Sequence, residues 1–438
     1  MYAASLLLLA LAALAAPNVV TAAACKRAKR AAPSAAADTQ CIQVQVVYRH
    51  GARTIVTPTY PTDPNADPKL YQPYGLGHLT SLGRQHEYVL GQLLRSRYVG
   101  ATASVANLLD AEYASGVLTT KTSGVARTQE SAASCLAGMW PPAAGSRQRW
   151  HSNNTQVGQV WTPIVYDIIP FAQDRAIAGT APCASRDLEY NRVVTSGEYR
   201  TRVLRVLGGE ANLRYLETNS GTNYNFSDPA SAAFAYNIFS ATQCQELLGL
   251  TTPSWIKKLY PEPLRAASTL YLRTLSYTPK LMRHSYGDLT KWLMNATRNY
   301  ETQPKFQAYS GHDATVSAVI QIFELEPQDD AGFGIPDFSA CVMIELHRDR
   351  QGRLGLRFFY RREYGGKVIT MVPKGCNEFC LLDDVEEILS NKMSRDDETC
   401  DVPADHGTTL REVHRAHILG HHILADPTTP STPTEETD

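Results

Sequence analysis

Two short histidine-containing motifs carry the strongest chemical signal in this sequence. The first runs from Arg49 to Arg53 and reads Arg-His-Gly-Ala-Arg. The planar guanidinium of arginine matches phosphate oxygens with paired hydrogen bonds, and two arginines are not buried without an anion. An imidazole held among such donors can attack phosphorus and accept the phosphoryl group. The motif therefore predicts phosphate binding by Arg49 and Arg53 and a nucleophilic His50; the alternative is a solvated turn with ordinary charges.

The second motif reads Ser-Gly-His-Asp and ends at Asp313, where an apolar helix begins. The amide groups and dipole at the start of a helix favour anions, and His312 can add a hydrogen bond or a positive charge. Asp313 can act as a general acid that protonates the departing alcohol oxygen. Its alternative role is that of an ordinary helix N-cap. Because the first motif is present as well, we favour the catalytic interpretation.

Predicted strands place both histidines. Residues 41–48 alternate and then become apolar throughout, which is typical of a buried strand, and a shorter strand covers 306–309. Each histidine follows its strand directly, and sites of α/β sheets form at the carboxyl ends of strands. Amphipathic helices are predicted over 79–98 and 128–140, and three strands over 340–372. The sequence therefore predicts one site shared by both motifs.

The order of the elements indicates an α/β fold, a three-layer α/β/α sandwich with an inserted, mostly helical cap domain. Strands and helices alternate near both ends, whereas the middle of the chain reads as helical segments. We predict a signal peptide at 1–24, a leader at 25–40, an α/β phosphatase domain at 41–160 and 300–405, a helical cap at 161–299 and a tail at 406–438.

The amino terminus and the charge limit the function classes. A Leu- and Ala-rich run from Ser5 to Ala16 is typical of a secretory signal peptide, and no stretch is long and apolar enough for a transmembrane anchor. The net charge of −1 among 438 residues gives no general attraction to nucleic acid or anionic membrane. Residues 26–30 read Lys-Arg-Ala-Lys-Arg, which is either a processing site after Arg30 or a solvated basic stretch.

The cysteines and glycosylation sequons agree with a secreted or lumenal protein. Removal of Cys25 by processing after Arg30 would leave eight of the nine cysteines, an even number that suits pairing in an oxidising compartment. Three Asn-X-Ser/Thr sequons, at Asn153, Asn225 and Asn295, predict glycosylated surface loops.

The combined motifs resemble the histidine acid phosphatases, the family that includes the lysosomal and prostatic acid phosphatases and the phytases. The hallmark Arg-His-Gly-x-Arg is present at 49–53, and the His-Asp pair is present at 312–313. The segments 77–83 and 127–132 are also similar to family segments, so the resemblance covers roughly residues 41–400. The resemblance implies hydrolysis of phosphate monoesters through a phosphohistidine intermediate at His50, with proton donation by Asp313.

Other properties follow from the same resemblance. It implies phosphate binding by Arg49, Arg53 and His312, no metal or other cofactor, and commonly a homodimer. Family members carry a further phosphate-binding arginine just upstream of the Arg-Thr-x-x-Ser-Ala segment, and Lys121 stands at the position that we match to it. Because lysine lacks the planar fork, we predict slower catalysis and a faster Lys121→Arg variant. The alternative is that Lys121 faces solvent and Arg127 or another residue fills the place.

The resemblance also pairs Cys183 with Cys400 and Cys244 with Cys341, and Cys376 and Cys380 are close enough to close a short loop, as in the family. Cys41 and Cys135 then remain. We predict a fourth bridge between these two, and two buried free thiols are the alternative.

The sequence allows three competing functions to be compared, and two of them remain open. Phosphoglycerate mutases share the Arg-His-Gly motif, but the secretory signal and the His-Asp pair argue against that cytosolic class. A phytase acting on inositol hexakisphosphate is the nearest enzymatic rival. A secreted binding protein on a weakened phosphatase scaffold is the third, and Lys121 is its support.

Overall fold

A computed structural model describes residues 39–401 except 106, 143–145, 147, 151–160, 328–333 and 397. The predicted signal peptide, the processing site after Arg30, the sequon at Asn153 and the tail at 406–438 lie outside these residues. The α-helices are α1 Ser81–Tyr98, α2 Ala126–Met139, α3 Ala184–Val194, α4 Gly197–Leu207, α5 Glu210–Ser220, α6 Phe234–Leu247, α7 Leu264–Thr274, α8 Pro279–Arg298, α9 Asp313–Ile322 and α10 Leu382–Leu389.

The described strands form one mixed sheet. They are β1 Thr39–Arg49, β2 Leu118–Ser123, β3 Asp167–Ile169, β4 Phe306–Gly311, β5 Leu325–Pro327, β6 Cys341–Asp349, β7 Leu354–Arg361, β8 Val368–Pro373 and β9 Cys380–Leu381. Their order is β3-β2-β4-β1-β6-β7-β8-β5, and β9 pairs with β7. In this spatial order, the neighbouring strands β3, β2, β4 and β1 run parallel to one another. The pairs β1–β6, β6–β7 and β7–β8 are antiparallel.

Helices cover both faces of this sheet. Alternate residues of β1 point to opposite faces, so Val46 and Tyr48 pack against helices α1 and α2, whereas Val47 packs with the helices that follow residue 184. The predicted α/β architecture is therefore confirmed. Residues 184–298 supply the expected run of helices, and the division of the chain into domains stays a prediction.

Local signals fix the helices nearest to the sheet. Helix α1 begins where the Thr80 hydroxyl accepts a hydrogen bond from the amide of Gly83, a typical N-cap. Helix α2 ends at Met139, just before Trp140 and two prolines. The helices and strands predicted around the two motifs are present within a few residues of their predicted bounds. Among the described residues, no helix is long and apolar enough to cross a membrane.

Two of the four predicted disulfides are present, Cys183–Cys400 and Cys376–Cys380. The prediction of a Cys41–Cys135 bridge is wrong, since both are free thiols. Cys135 lies beside the Tyr48 side chain at one end of β1, while Cys41 lies near the other end, seven residues or about 23 Å away along an extended strand.

The predicted Cys244–Cys341 bridge is also absent, and both residues are free thiols. Cys341 pairs with Tyr48 in the sheet and packs in the core beneath α1 and α2. Cys244 belongs to helix α6 and packs in a separate apolar cluster with Ala52 and Phe338. Of the sequons within the described residues, Asn225 lies in an exposed loop, whereas Asn295 lies on the exposed face of α8 rather than in a loop.

Candidate active site

The two histidine motifs meet at the carboxyl edge of neighbouring parallel strands. Arg49, the last residue of β1, is in register with Gly311, the last residue of β4. The backbone amide of His50 donates to the carbonyl of Gly311 at 3.0 Å, and the rings of His50 and His312 lie 5.6 Å apart. The structure thus places the two predicted histidines together.

The His50 imidazole is held in one tautomer. Its Nδ1 lies 2.9 Å from the carbonyl oxygen of Gly51, and because a carbonyl only accepts, Nδ1 carries the proton and Nε2 keeps its lone pair. Burial, followed by the positive charges of Arg127, Arg49 and Arg53, holds the pKa of His50 well below its usual range. The ring is therefore neutral and nucleophilic at Nε2.

Gly51 is required by a close approach rather than by a positive backbone angle. A Cβ atom at this position would lie 2.2 Å from the carbonyl oxygen of Gly83, in the first turn of α1. The amide of Gly51 donates to the Ser131 hydroxyl of α2 at 3.2 Å. The loop after β1 is therefore clamped between α1 and α2, and this contact fixes the backbone that carries His50.

Three buried guanidinium groups surround the nucleophile. Arg49, Arg53 and Arg127 are at most 4% exposed. The Nε atoms of all three, and Nη2 of Arg127, have no hydrogen-bond partner among the described residues. Burial and the neighbouring Arg53 lower the pKa of Arg127 to about 9. Buried cationic donors without partners are costly, so this arrangement is suited to an anion with several oxygens.

Helix α6 supplies contacts that the sequence analysis missed. Arg53 donates through Nη2 to the Ser240 hydroxyl at 3.1 Å and through Nη1 to the Cys244 sulfur at 3.3 Å. One turn earlier, the Tyr236 hydroxyl donates to the Asp313 carboxylate at 3.0 Å. These three residues recur every four positions, so they lie on one helix face. The four-residue spacing could have been recognised in the sequence. The sequence did not indicate which part of the fold this face of α6 would contact.

Asp313 is the first residue of α9, and its predicted alternative role as the N-cap is not realised because His312 occupies that position. Its carboxylate lies 3.1 Å from Arg49 Nη2 and is 1% exposed. His312 contacts the Ser123 hydroxyl at the end of β2 through Nε2, at 3.0 Å. Loops after three parallel strands therefore converge on one point.

Lys121 does not join this group, so its role as a phosphate ligand stays a prediction that the geometry does not support. Its ammonium lies 3.2 Å from the Asp167 carboxylate and 5.6 Å from the Trp292 ring centroid. Lys121 is two residues before the end of β2, whereas Arg127 follows the strand in the first turn of α2 and reaches the edge of the sheet. Arg127, the stated alternative, therefore takes the third arginine position. Its place just beyond a strand end was the signal that could have identified it.

Comparison with known proteins agrees with this geometry. Residues 40–166 match the model of the histidine phosphatase superfamily (branch 2). Lysosomal acid phosphatase from Bos taurus is 26% identical over 363 residues, covering 81% of this chain and 78% of the relative. Prostatic acid phosphatase from Mus musculus is 26% identical over 362 residues, covering 81% and 87%.

Solved structures show the same fold. The phytase of Hafnia alvei in complex with tartrate superposes with a TM-score of 0.58 at 13% identity, covering 84% of this chain and all of that one. The Klebsiella sp. ASR1 phytase superposes with a TM-score of 0.59 at 12% identity, with the same coverage. The family model and the relatives relate this chain to branch 2 of the histidine phosphatase superfamily, as its two histidine motifs predict, and the solved structures share its fold.

Proposed function

We propose that this chain hydrolyses phosphate monoesters through a phosphohistidine intermediate at His50. The observation that carries the proposal is a neutral imidazole, with its Nε2 lone pair available, among three buried guanidiniums whose Nε–H groups find no partner in the described part of the chain. The names of two of its relatives, lysosomal and prostatic acid phosphatase, state a phosphatase activity and support the proposed hydrolysis.

The geometry supports a two-step displacement. In the first step Nε2 of His50 attacks phosphorus, the ester P–O bond breaks, and Asp313 gives a proton to the leaving alcohol oxygen. In the second step water attacks the phosphohistidine and transfers a proton to Asp313, which releases phosphate and restores His50. The guanidiniums of Arg49, Arg53 and Arg127 stabilise the charge on the transferring phosphoryl oxygens.

Arg127 also bears on the choice between an enzyme and a weakened binding scaffold. The scaffold hypothesis depended on Lys121 as a replacement for a phosphate-binding arginine. Since Arg127 lies in the cluster with Arg49 and Arg53, the site has three arginines and no such replacement is needed. This favours the enzyme.

We place the protein in the secretory pathway, as a secreted or lysosomal enzyme. Lysosomal and prostatic acid phosphatases are among its relatives. The Cys183–Cys400 and Cys376–Cys380 disulfides are typical of an oxidising compartment.

An alkaline quench during turnover of a radiolabelled phosphate monoester, which preserves a P–N bond, tests the nucleophile. We expect acid-labile phosphate on the parent enzyme and on a His78→Ala control, which alters a partly exposed histidine outside the cluster. His50→Ala should carry no label. Label retained in His50→Ala would refute the assignment.

The general acid is tested by varying the leaving group. Protonation matters most when the alcohol is a poor leaving group. Asp313→Asn should therefore slow alkyl phosphates more than aryl phosphates with good leaving groups, measured as kcat/KM. Equal losses on both classes would show that Asp313 only orients Arg49.

A further inference from the structure

A cavity of about 370 Å³ adjoins the catalytic cluster and shares Phe338 with it. The Phe338 ring lies 5.8 Å from the His50 ring and 4.2 Å from the Arg49 guanidinium carbon, and it also lines the cavity. Helices α1 and α6 contribute other parts of the wall through His86 and Glu246. A molecule in this cavity would therefore lie one side chain away from the nucleophile.

The charge of the cavity is opposite to that of the phosphate site. Three carboxylates line it, at Glu246, Asp337 and Glu363, against one guanidinium at Arg265. Two partners lie outside the lining: Glu262 is 3.6 Å from Arg265, and Arg362 is 3.6 Å from Glu363, so these pairs leave the carboxylates of Glu246 and Asp337. The lining is therefore net negative, whereas the neighbouring catalytic cluster is strongly positive.

Aromatic side chains complete the lining. Tyr364 stacks on His86 with ring centroids 4.1 Å apart, and Tyr260 and Phe338 add two more rings. His86 is 7% exposed, and its Nδ1 has no hydrogen-bond partner among the described residues. Burial lowers the pKa of His86 to about 4, so the ring stays neutral and adds no positive charge.

Carboxylates beside aromatic faces are the chemistry that recognises alkylammonium groups. The face of an aromatic ring carries negative electrostatic potential that attracts a cation. A carboxylate adds Coulomb attraction, which acts even on a quaternary ammonium group that has no N–H to donate. We propose that this cavity binds the alcohol part of a phosphate monoester whose alcohol carries an alkylammonium group. The proposal rests on the proposed phosphatase activity, and it assigns a substrate class to it.

The same lining disfavours the rival substrate. Inositol hexakisphosphate would bring further phosphates towards Glu246, Asp337 and Glu363, and like charges repel at short range. A zwitterionic monoester instead matches both halves of the site, with phosphate on the arginines and ammonium in the cavity.

Phosphocholine and its uncharged isostere, in which a tert-butyl group replaces trimethylammonium, form a matched pair of probes. They have the same shape and differ in the positive charge. We expect kcat/KM for phosphocholine to exceed that for the isostere by about tenfold at low ionic strength, and the ratio to fall as salt is added. The parent hydrolysing both esters at equal kcat/KM would overturn the proposal.

Two variants separate the cavity from the intrinsic reactivity of the esters. Glu246→Gln removes one cavity charge from an exposed helix position and should lower the phosphocholine-to-isostere ratio several-fold. Glu210→Gln removes an exposed carboxylate on α5 and should keep the parental ratio. An unchanged phosphocholine-to-isostere ratio in Glu246→Gln would show that the cavity does not distinguish the two esters and would overturn the proposal.

A failure of the proposed activity is distinguishable from a failure of the cavity. Absence of turnover on an aryl phosphate would refute the phosphatase function alone. The cavity is then judged by calorimetry of the two esters binding to the parent protein. Tighter binding of phosphocholine supports the cavity, and equal affinities overturn it.

Discussion

Two buried polar clusters lie along strand β1, one at its carboxyl end and one towards its amino end, and they differ in how their hydrogen bonds are satisfied. At the carboxyl end, Arg49 and Arg127 are buried with N–H groups that have no partner among the described residues. Near the amino end, Glu345 accepts hydrogen bonds from Arg97 and Tyr98 through one carboxylate oxygen, at 2.8 Å each. Its other oxygen lies 2.8 Å from His347 Nε2.

The difference distinguishes a binding site from a structural network. The amino-end cluster holds ligand types that metals favour, since atoms of Cys41, Glu345 and His347 lie within 4.8 Å of one another. The Glu345 and His347 atoms, however, are already engaged by protein partners, which is what a stabilising network requires. The carboxyl-end cluster keeps its donors unpaired at a cost in folding free energy, as expected where a ligand completes the site.

The largest expected effect is on Arg127. Replacing one of the groups that stabilise transition-state charge lowers turnover by about 10²–10³-fold, so we expect Arg127→Met to lose about that much kcat/KM on an aryl phosphate. The same change removes a buried charge with unpaired donors, so thermal unfolding in phosphate-free buffer should not shift to lower temperature. A large loss of stability together with retained turnover would show that the cluster at the carboxyl end of β1 is structural and does not bind substrate.

The amino-end cluster should respond in the opposite way. Arg97→Met leaves the Glu345 carboxylate buried without its cation, and we expect a loss of about 2–3 kcal/mol in the free energy of unfolding, by denaturant titration. Turnover per folded molecule should be unchanged because Glu345 lies opposite Val44, six residues or about 20 Å along the chain from His50. Arg214→Met, which breaks an exposed pair with Glu210, is the matched control and should cost less than about 0.5 kcal/mol. Equal losses in the two variants would contradict a structural role for the buried pair.

The sequence predicts the individual helices and strands well, and it predicts the contacts between distant elements poorly. Residues 41–48 and 306–309 read as strands because buried parallel strands are apolar throughout, and strand ends then brought His50 and His312 together. Choosing between Lys121 and Arg127 would have required knowing where β2 ends and where α2 begins. The ends of helices and strands are the features that a sequence pattern predicts least well.

Contacts between the helices and the sheet could not be predicted from the sequence pattern. The side chains of Tyr236 and Ser240 reach the site because α6 packs over it, and no spacing within α6 encodes that docking. The same reason explains the wrong cysteine pairs. A bridge depends on where two Cα atoms lie after the layers have packed, so Cys135 and Cys41 could not be placed from the strand and helix assignments alone.

A smaller effect, and one that depends on pH, is expected at Glu87 behind the nucleophile. Its carboxyl contacts the Ser339 hydroxyl, and the amide of Ser339 donates to the His50 carbonyl at 3.2 Å. Burial raises the pKa of Glu87 from 4.5 to about 8, so between these values the folded protein holds about one more proton than the unfolded chain. Stability contributed by this proton is present at low pH and falls by about 1.4 kcal/mol per pH unit as pH rises through that window.

Glu87→Gln removes this titration while keeping the hydrogen bond to Ser339. The stability of the variant relative to the parent should therefore be higher at about pH 7 than at about pH 5, by about 2–3 kcal/mol. Denaturant titrations of both proteins at the two pH values measure it. A parent-to-variant difference that stays constant with pH would show that Glu87 does not hold a proton in the folded state.

The smallest expected effect is at Lys121, and it tests the assignment of the third arginine. Lys121 faces Asp167 and Trp292 with its side chain about one third exposed, and an ion pair of that kind contributes at most about 1 kcal/mol. Lys121→Ala and Lys121→Arg should each change kcat/KM by less than about twofold, because neither alters the groups around His50. Arg127→Lys provides the contrast: it keeps the positive charge but loses the planar fork that can hold two phosphoryl oxygens, so kcat/KM should fall by about tenfold or more. If Lys121→Ala slowed turnover as much as Arg127→Lys does, the lysine would contact the substrate, and the loop after β2 would have to move during the reaction.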